Sequence, residues 1–85
     1  MYRVVYTKQA RRALRDMPRN LAARILGKIE ALASDPHASI PNVKPLSGVP
    51  GFRLRVGDWR VIYELQDDVV MVLVLRIDPR GGAYT

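Results

Sequence analysis

The spacing of hydrophobic positions changes along the chain, and each change of period marks an element. Tyr2 to Tyr6 is β-branched and aromatic, with Tyr2, Val4 and Tyr6 on one side, which predicts a first strand. Thr7 suits a helix N-cap, because its hydroxyl can accept from a free backbone N–H of the next turn. Ala10, Leu14 and Met17 then recur at i, i+4, i+7, the stripe of a helix, while Lys8, Arg12, Arg15 and Arg19 recur on another face. Pro18 closes this helix and opens a second, since a proline at a first helical turn loses no needed donor. The second helix runs to about Ala33 with Leu21, Ala22, Ile25, Ile29 and Leu32 inward, and Asp35-Pro36 ends it.

Residues 34–51 carry Pro36, Pro41, Pro45, Pro50, Gly48 and Gly51 and read as a loop with little regular structure. From Phe52 the period becomes two: Phe52, Leu54 and Val56 alternate with Arg53 and Arg55. Gly57-Asp58, glycine first, suits a type II′ hairpin turn, and Trp59 to Leu65 is the return strand. Asp67-Asp68 predicts a second short turn. Val69 to Ile77 forms a last strand whose unbroken apolar run predicts cover on both faces, ending at Pro79, Gly81 and Gly82. The expectation is an α+β fold of order β-α-α-β-β-β, an N-terminal helical hairpin packed on a small antiparallel sheet, as one domain over residues 1–85. With Gly57 and Asp58 as the turn, Val56 faces Trp59, Arg55 faces Arg60, Leu54 faces Val61 and Arg53 faces Ile62. Opposed residues share a face, so Phe52, Leu54, Val56, Trp59, Val61 and Tyr63 make an apolar side and Arg53, Arg55 and Arg60 gather on the other.

Composition narrows the function. Hydrophobic residues are 48% and charged residues 26% of the chain, a globular balance. With no cysteine and a single histidine, disulfides, thiolate chemistry and nearly every zinc site are excluded, and neither metal nor cofactor is expected. The longest apolar run, Val69 to Leu75, falls far short of the roughly 20 residues of a membrane span. Basic residues interrupt the start before a signal-peptide core can form, so the cytoplasm is the expected compartment. The formal net charge of +6, with a pI near 10.3, favours a polyanionic partner. Residues 1–33 hold eight basic side chains against Asp16 and Glu30, and residues 34–85 hold six against six, so the count places the whole excess N-terminally.

Three guanidiniums on one sheet face repel one another, with Arg55 opposite Arg60 costing about a few tenths of a kcal/mol or more. A bound anion would offset this, because the planar fork of arginine matches phosphate oxygens. The plainer reading is a solvated sheet face partly neutralised by Glu64 or Asp58. Lys8, Arg11, Arg12, Arg15 and Arg19 likewise form either a stripe that contacts a polyanion beside the arginines or a solvated helix face. Lys44 reaches a polyanion or water from its loop. His37 has no partner spacing and reads as a solvent-exposed bystander, and Phe52 and Trp59 sit at core parity. Ile62, Met71, Leu73 and Leu75 share the arginine face and give an apolar patch for a partner helix or strand.

The stretch KPLSGVPGFRLRVGDWRVIYELQDDVVMVLVLRIDPRGGAY, together with VVYTKQARRALRDMP and the Asp35-Pro36 stop, resembles the RelE/ParE superfamily of bacterial toxins over essentially the whole chain. Gly57 to Glu64, GDWRVIYE, is the most specific part and looks closer to the RelE-like branch. The resemblance implies the toxin of a type II toxin–antitoxin pair: a ribosome-dependent endoribonuclease that cuts mRNA in the A site by metal-free 2′-OH attack. A cognate antitoxin neutralises it in a hetero-oligomer, and the ribosome, through rRNA and mRNA, is the other partner. Carried over by position, Arg53, Arg55, Arg60, Arg80 and Tyr84 are the catalytic set; Lys8, Arg11, Arg12, Arg15, Arg19 and Lys44, read from their charge and not from the resemblance, are the RNA-binding residues. Pro79 stands where many members have histidine or lysine, and Arg53 where some have lysine. Arginine stabilises phosphorane charge but keeps its proton, so Tyr84 leads as the proton-transfer group, or else stacks on a base. Asp58, Glu64 and Asp78 are other bases, more readily explained as turn or salt-bridge residues. The alternatives are a ParE-like DNA gyrase inhibitor and a degenerate toxin that retains only antitoxin binding.

Overall fold

The computed structural model describes residues 1–79; Arg80, Gly81, Gly82 and Tyr84 lie outside the described residues. β1 (Arg3–Tyr6) stops at Thr7, whose hydroxyl accepts from the Ala10 amide and caps α1 (Lys8–Asp16) as the sequence predicts. Pro18 immediately precedes α2 (Arg19–Ser34), and the extended Asp35 ends it. Ala10 and Met17 of the first helical segment, with Ile25, Ile29, Leu32 and Ala33 of α2, are buried. No helix among the described residues is long and apolar enough to cross a membrane.

The remaining strands are β2 (Val43–Pro45), β3 (Phe52–Val56), β4 (Trp59–Gln66) and β5 (Met71–Pro79). They form with β1 a five-stranded sheet in the order β1-β5-β4-β3-β2. The antiparallel expectation needs correction, because β1 runs parallel to β5, with Arg3 beside Met71 and Tyr6 beside Val74. A strand as apolar as β5 is a poor edge, and β1 covers the side that β4 leaves open. The loop expected at residues 34–51 also holds a strand. Val43–Pro45 adds to the far edge of β3, where the absent N–H of Pro45 is tolerated, and Asn42 enters it at φ 67°.

The central hairpin follows its expected register, Val56 with Trp59, Arg55 with Arg60, Leu54 with Val61 and Arg53 with Ile62. Gly57 takes the positive φ of 57° that a II′ turn needs at its first position. The second turn is longer than two residues: Asp67–Val69 make one 3-10 turn, Val70 takes a left-handed φ of 54°, and the strand therefore starts at Met71 and not at Val69. Between β4 and β5 the register shifts at Ile62/Tyr63, so that Tyr63 pairs with Val74 but Ile62 pairs with Arg76, and Leu75 is the extra residue of a bulge. The shift turns Ile77 into the core, where it is 1% exposed, and turns Arg76 and Asp78 outward.

Both helices lie on one side of the sheet, over Leu54, Val56, Val61, Tyr63, Val72, Val74 and Ile77. Phe52 stacks on Tyr63 at 5.4 Å, and Phe52 and Trp59 pack partly buried against this core, at the parity expected of them. The expected cover on both faces of β5 is not what the described residues show. Burial alternates along the strand, Val72 and Val74 buried, Met71, Leu73 and Leu75 half-exposed on the side away from the helices.

Candidate functional site

Two cross-strand rows build the open face. Lys44 on β2 pairs with Arg53 on β3, which faces Ile62 on β4 and then Arg76 on β5. The next row runs Arg55, Arg60, Asp78. Five basic side chains therefore meet one carboxylate over two adjacent rows, a local net charge of +4. The N-terminal placement of the charge excess is thus incomplete. Residues 34–85 cancel as a count but not in space, because Asp58 lies in the hairpin turn and Asp67 in the β4–β5 connection. Glu64 is on the open face further down β4, where its carboxylate accepts from Gln66 Nε2 at 3.4 Å.

The sheet holds the arginines at fixed spacing, which no loop would do. Arg55 is anchored by its own backbone amide, which donates to the Asn42 carbonyl at 2.9 Å. Asn42, Lys44, Arg53 and Arg55 together line a notch of about 60 Å3, the size for a single small anionic group. On the other side of the face the Arg76 guanidinium donates to Asp78 through Nε at 2.8 Å and Nη2 at 3.2 Å. Asp78 is only 18% exposed and accepts a further bond from Gln9 Nε2 at 3.3 Å, so it acts as a clamp between groups and not as a free base.

A family profile described as the ParE toxin of the type II toxin–antitoxin system, parDE, matches residues 4–84. The chain belongs to the RelE/ParE superfamily of type II toxins. It is 34% identical to Toxin RelG of Mycobacterium tuberculosis, across 98% of this chain and 95% of that protein. Its fold matches the archaeal RelE–RelB complex from Pyrococcus horikoshii with a TM-score of 0.79 and 32% identity, covering 96% of this chain and 98% of the other. The RelBE2 toxin–antitoxin complex from M. tuberculosis matches with a TM-score of 0.76 and 30% identity, over 93% and 98% of the two chains.

In the toxin, the expected site residues divide by location. Lys44, Arg53, Arg55 and Arg60 come together on the open face; Arg80 and Tyr84 lie outside the described residues. Lys8, Arg11, Arg12, Arg15 and Arg19 are all exposed, but they belong to the helical layer and stand on the opposite side of the sheet, not beside the arginines. Arg12 comes nearest to a connection, since it lines a cleft of about 380 Å3 at the end of the sheet with Trp59, Asp78 and Pro79.

The described tyrosines are poor proton donors at neutral pH. Burial pushes Tyr63 up to about 12, and burial with the nearby Glu30 raises Tyr6. Tyr2 is raised by the hydrogen bond its hydroxyl gives Asp67 at 2.7 Å. The same Asp67 oxygen lies 2.8 Å from His37 Nε2, so His37 is exposed as expected but is no bystander. It ties the connection after α2 to the β4–β5 turn, with its ring edge-on to Tyr2 at 6.3 Å.

Two residues of the site escaped the sequence reading. Arg76 reaches the open face only because the bulge at Leu75 shifts its parity, and nothing in an apolar run announces a bulge. Gln9 appears in the sequence as one more polar helix position, whereas it contacts the end of β5 through both atoms of its amide.

Proposed function

We propose that this toxin is a ribosome-dependent endoribonuclease of the RelE type, acting on translated mRNA in the cytoplasm and held inactive by a cognate antitoxin. The observation that carries the reading is the rigid, locally +4 arginine face, whose guanidinium forks match phosphate oxygens. In the reaction the 2′-oxygen loses its proton and bonds to phosphorus, the bond from phosphorus to the 5′-oxygen breaks, and that oxygen takes up a proton. The products are a 2′,3′-cyclic phosphate and a 5′-OH end. Arg53, Arg55, Arg60 and Arg80 stabilise the charge that builds on the phosphorane, the role in which fixed donors contribute most. Tyr84 is assigned the proton transfer, the role that the arginines cannot take because they keep their protons. The helical stripe docks on ribosomal RNA, and Ile62, Met71, Leu73 and Leu75 form the apolar surface that the antitoxin covers.

The second reading, gyrase inhibition without cleavage, is favoured by the family profile, whose description is that of a ParE toxin. Inducing the protein in cells and mapping mRNA 5′ ends separates the two. Codon-phased cuts are expected, and Arg60→Ala or Arg80→Ala should lower cleavage by about 10²–10³-fold, as the loss of one charge-stabilising donor does elsewhere. DNA breaks with intact mRNA would select gyrase instead.

A further inference from the structure

β5 has nine residues, and β1 pairs only with its first part, Met71 to Val74. Beyond Val74 the neighbouring chain has turned into α1, which would leave N–H and C=O groups of the strand without a ladder. The start of α1 supplies replacements. Thr7 Oγ1 donates to the Leu75 carbonyl at 2.7 Å. Gln9 Oε1 accepts from the Ile77 N–H at 3.0 Å, and Gln9 Nε2 donates to the Ile77 carbonyl at 3.1 Å. A primary amide presents one acceptor and two donors, so this one side chain stands in for a residue of the missing strand and has a second N–H left for Asp78, 3.3 Å away. Asp78 in turn holds Arg76 and stands opposite Arg60.

We propose that Gln9 is a positioning residue for the arginine face: its amide completes the sheet beside Ile77 and, through Asp78, fixes the placement of Arg76 and Arg60. The effect on rate rests on the endoribonuclease reading; the effect on the arginines does not. The basic helix and the phosphate-binding face, which lie on opposite sides of the sheet, are thereby joined through one amide. A glutamate or lysine at this position would serve the helix equally well but lacks the paired donor and acceptor.

The test uses the full chain with Gln9→Met, which keeps length and helix propensity, and Gln9→Glu, which keeps the acceptor and loses the donor. Three readouts are taken: amide hydrogen exchange at Ile77, the Nε–H resonances of Arg60 and Arg76 during titration with inorganic phosphate, and kcat and KM on mRNA-programmed ribosomes. In Gln9→Met, Ile77 exchange accelerates, both arginine resonances move and phosphate binds more weakly. With it kcat falls about tenfold, the scale of a site displaced by a fraction of an ångström, while KM for ribosomes stays within about twofold because the helical stripe is untouched. In Gln9→Glu, Ile77 keeps its protection while the arginine resonances still move. Unchanged Ile77 exchange in Gln9→Met, or faster exchange with unmoved arginine resonances, overturns the proposal. Should Gln9→Met not fold, Gln9→Glu decides it, unmoved arginine resonances counting against. A wild-type chain that cuts no mRNA removes the nuclease reading alone, because the exchange and phosphate readouts still report on Gln9.

Discussion

Arg55 and Arg60 face each other across β3 and β4, which sets a measurable tension in the free protein. Opposed Cβ atoms lie about 5 Å apart, and the longer side chains let the guanidiniums spread to about 7 Å. At that separation two unit charges repel by about 0.6 kcal/mol in water and about 2.4 kcal/mol at an effective dielectric of about 20. Arg55 is exposed and Asp78 sits across Arg60, so the low end applies, about 0.5–1 kcal/mol. Arg55→Gln removes the repulsion and keeps most of the aliphatic stem. For a domain of this size the gain corresponds to a rise in Tm of about 2–6 °C. Thermal unfolding followed by circular dichroism at low salt should show that rise, and it should vanish near 1 M salt, where the screening length is about 3 Å. Inorganic phosphate should raise the Tm of the wild type more than that of the variant, since the anion relieves the same repulsion. A variant no more stable at low salt, or a gain that persists at about 1 M, would refute the view that the face is held against its own charge.

Other perturbations test separate parts of the description. Gly51 has φ 120°, and an added Cβ would stand 3.0 Å from the Tyr63 carbonyl and 3.2 Å from Leu46 Cδ1, so Gly51→Ala should destabilise by more than about 1 kcal/mol in chemical unfolding. Bonds from Tyr2 and His37 lower the Asp67 pKa from its ordinary 3.8, so its contribution is present above that value and is lost as pH falls through the lowered one. The tie between His37 and the β4–β5 turn should therefore loosen in acid, seen as faster exchange and shifted Tyr2 resonances, and His37→Ala should bring the loosening to neutral pH. Replacing Lys8, Arg11, Arg12, Arg15 and Arg19 by glutamine should weaken ribosome association and flatten its salt dependence while leaving phosphate binding to the open face unchanged. Equal ribosome affinity in that variant would reduce the stripe to a solubility feature.

What was legible in the sequence was local. Thr7, Pro18 and Gly57-Asp58 announce their roles because a cap, a helix break and a turn are each settled by a few neighbouring residues. From the turn alone the pairing of β3 with β4 follows, and with it the gathering of Arg53, Arg55 and Arg60. Nothing local states that β1 lies beside β5, since a parallel pair has no turn to mark it. Val43–Pro45 is too short and too close to prolines to stand out from its loop. The bulge at Leu75 is invisible in a run of apolar residues, so the outward turn of Arg76 and Asp78 was hidden with it. The charge count misled for a related reason: it sums over sequence, whereas the acids of the second half lie mostly at turns and the arginines lie side by side.

The pairing of Arg3 with Met71 also bears on how the toxin is made. Among the described strands β1 is made well before β5, so it has no place in the sheet until β5 emerges, and both helices lack their full packing surface until then. Contacts between distant ends of a chain form late in folding. A nascent chain on its ribosome thus carries its basic helices and its β3 arginines before it has the sheet that aligns them. The aligned arginine face therefore arrives only with β5, so the order of the strands makes its assembly a late event of folding.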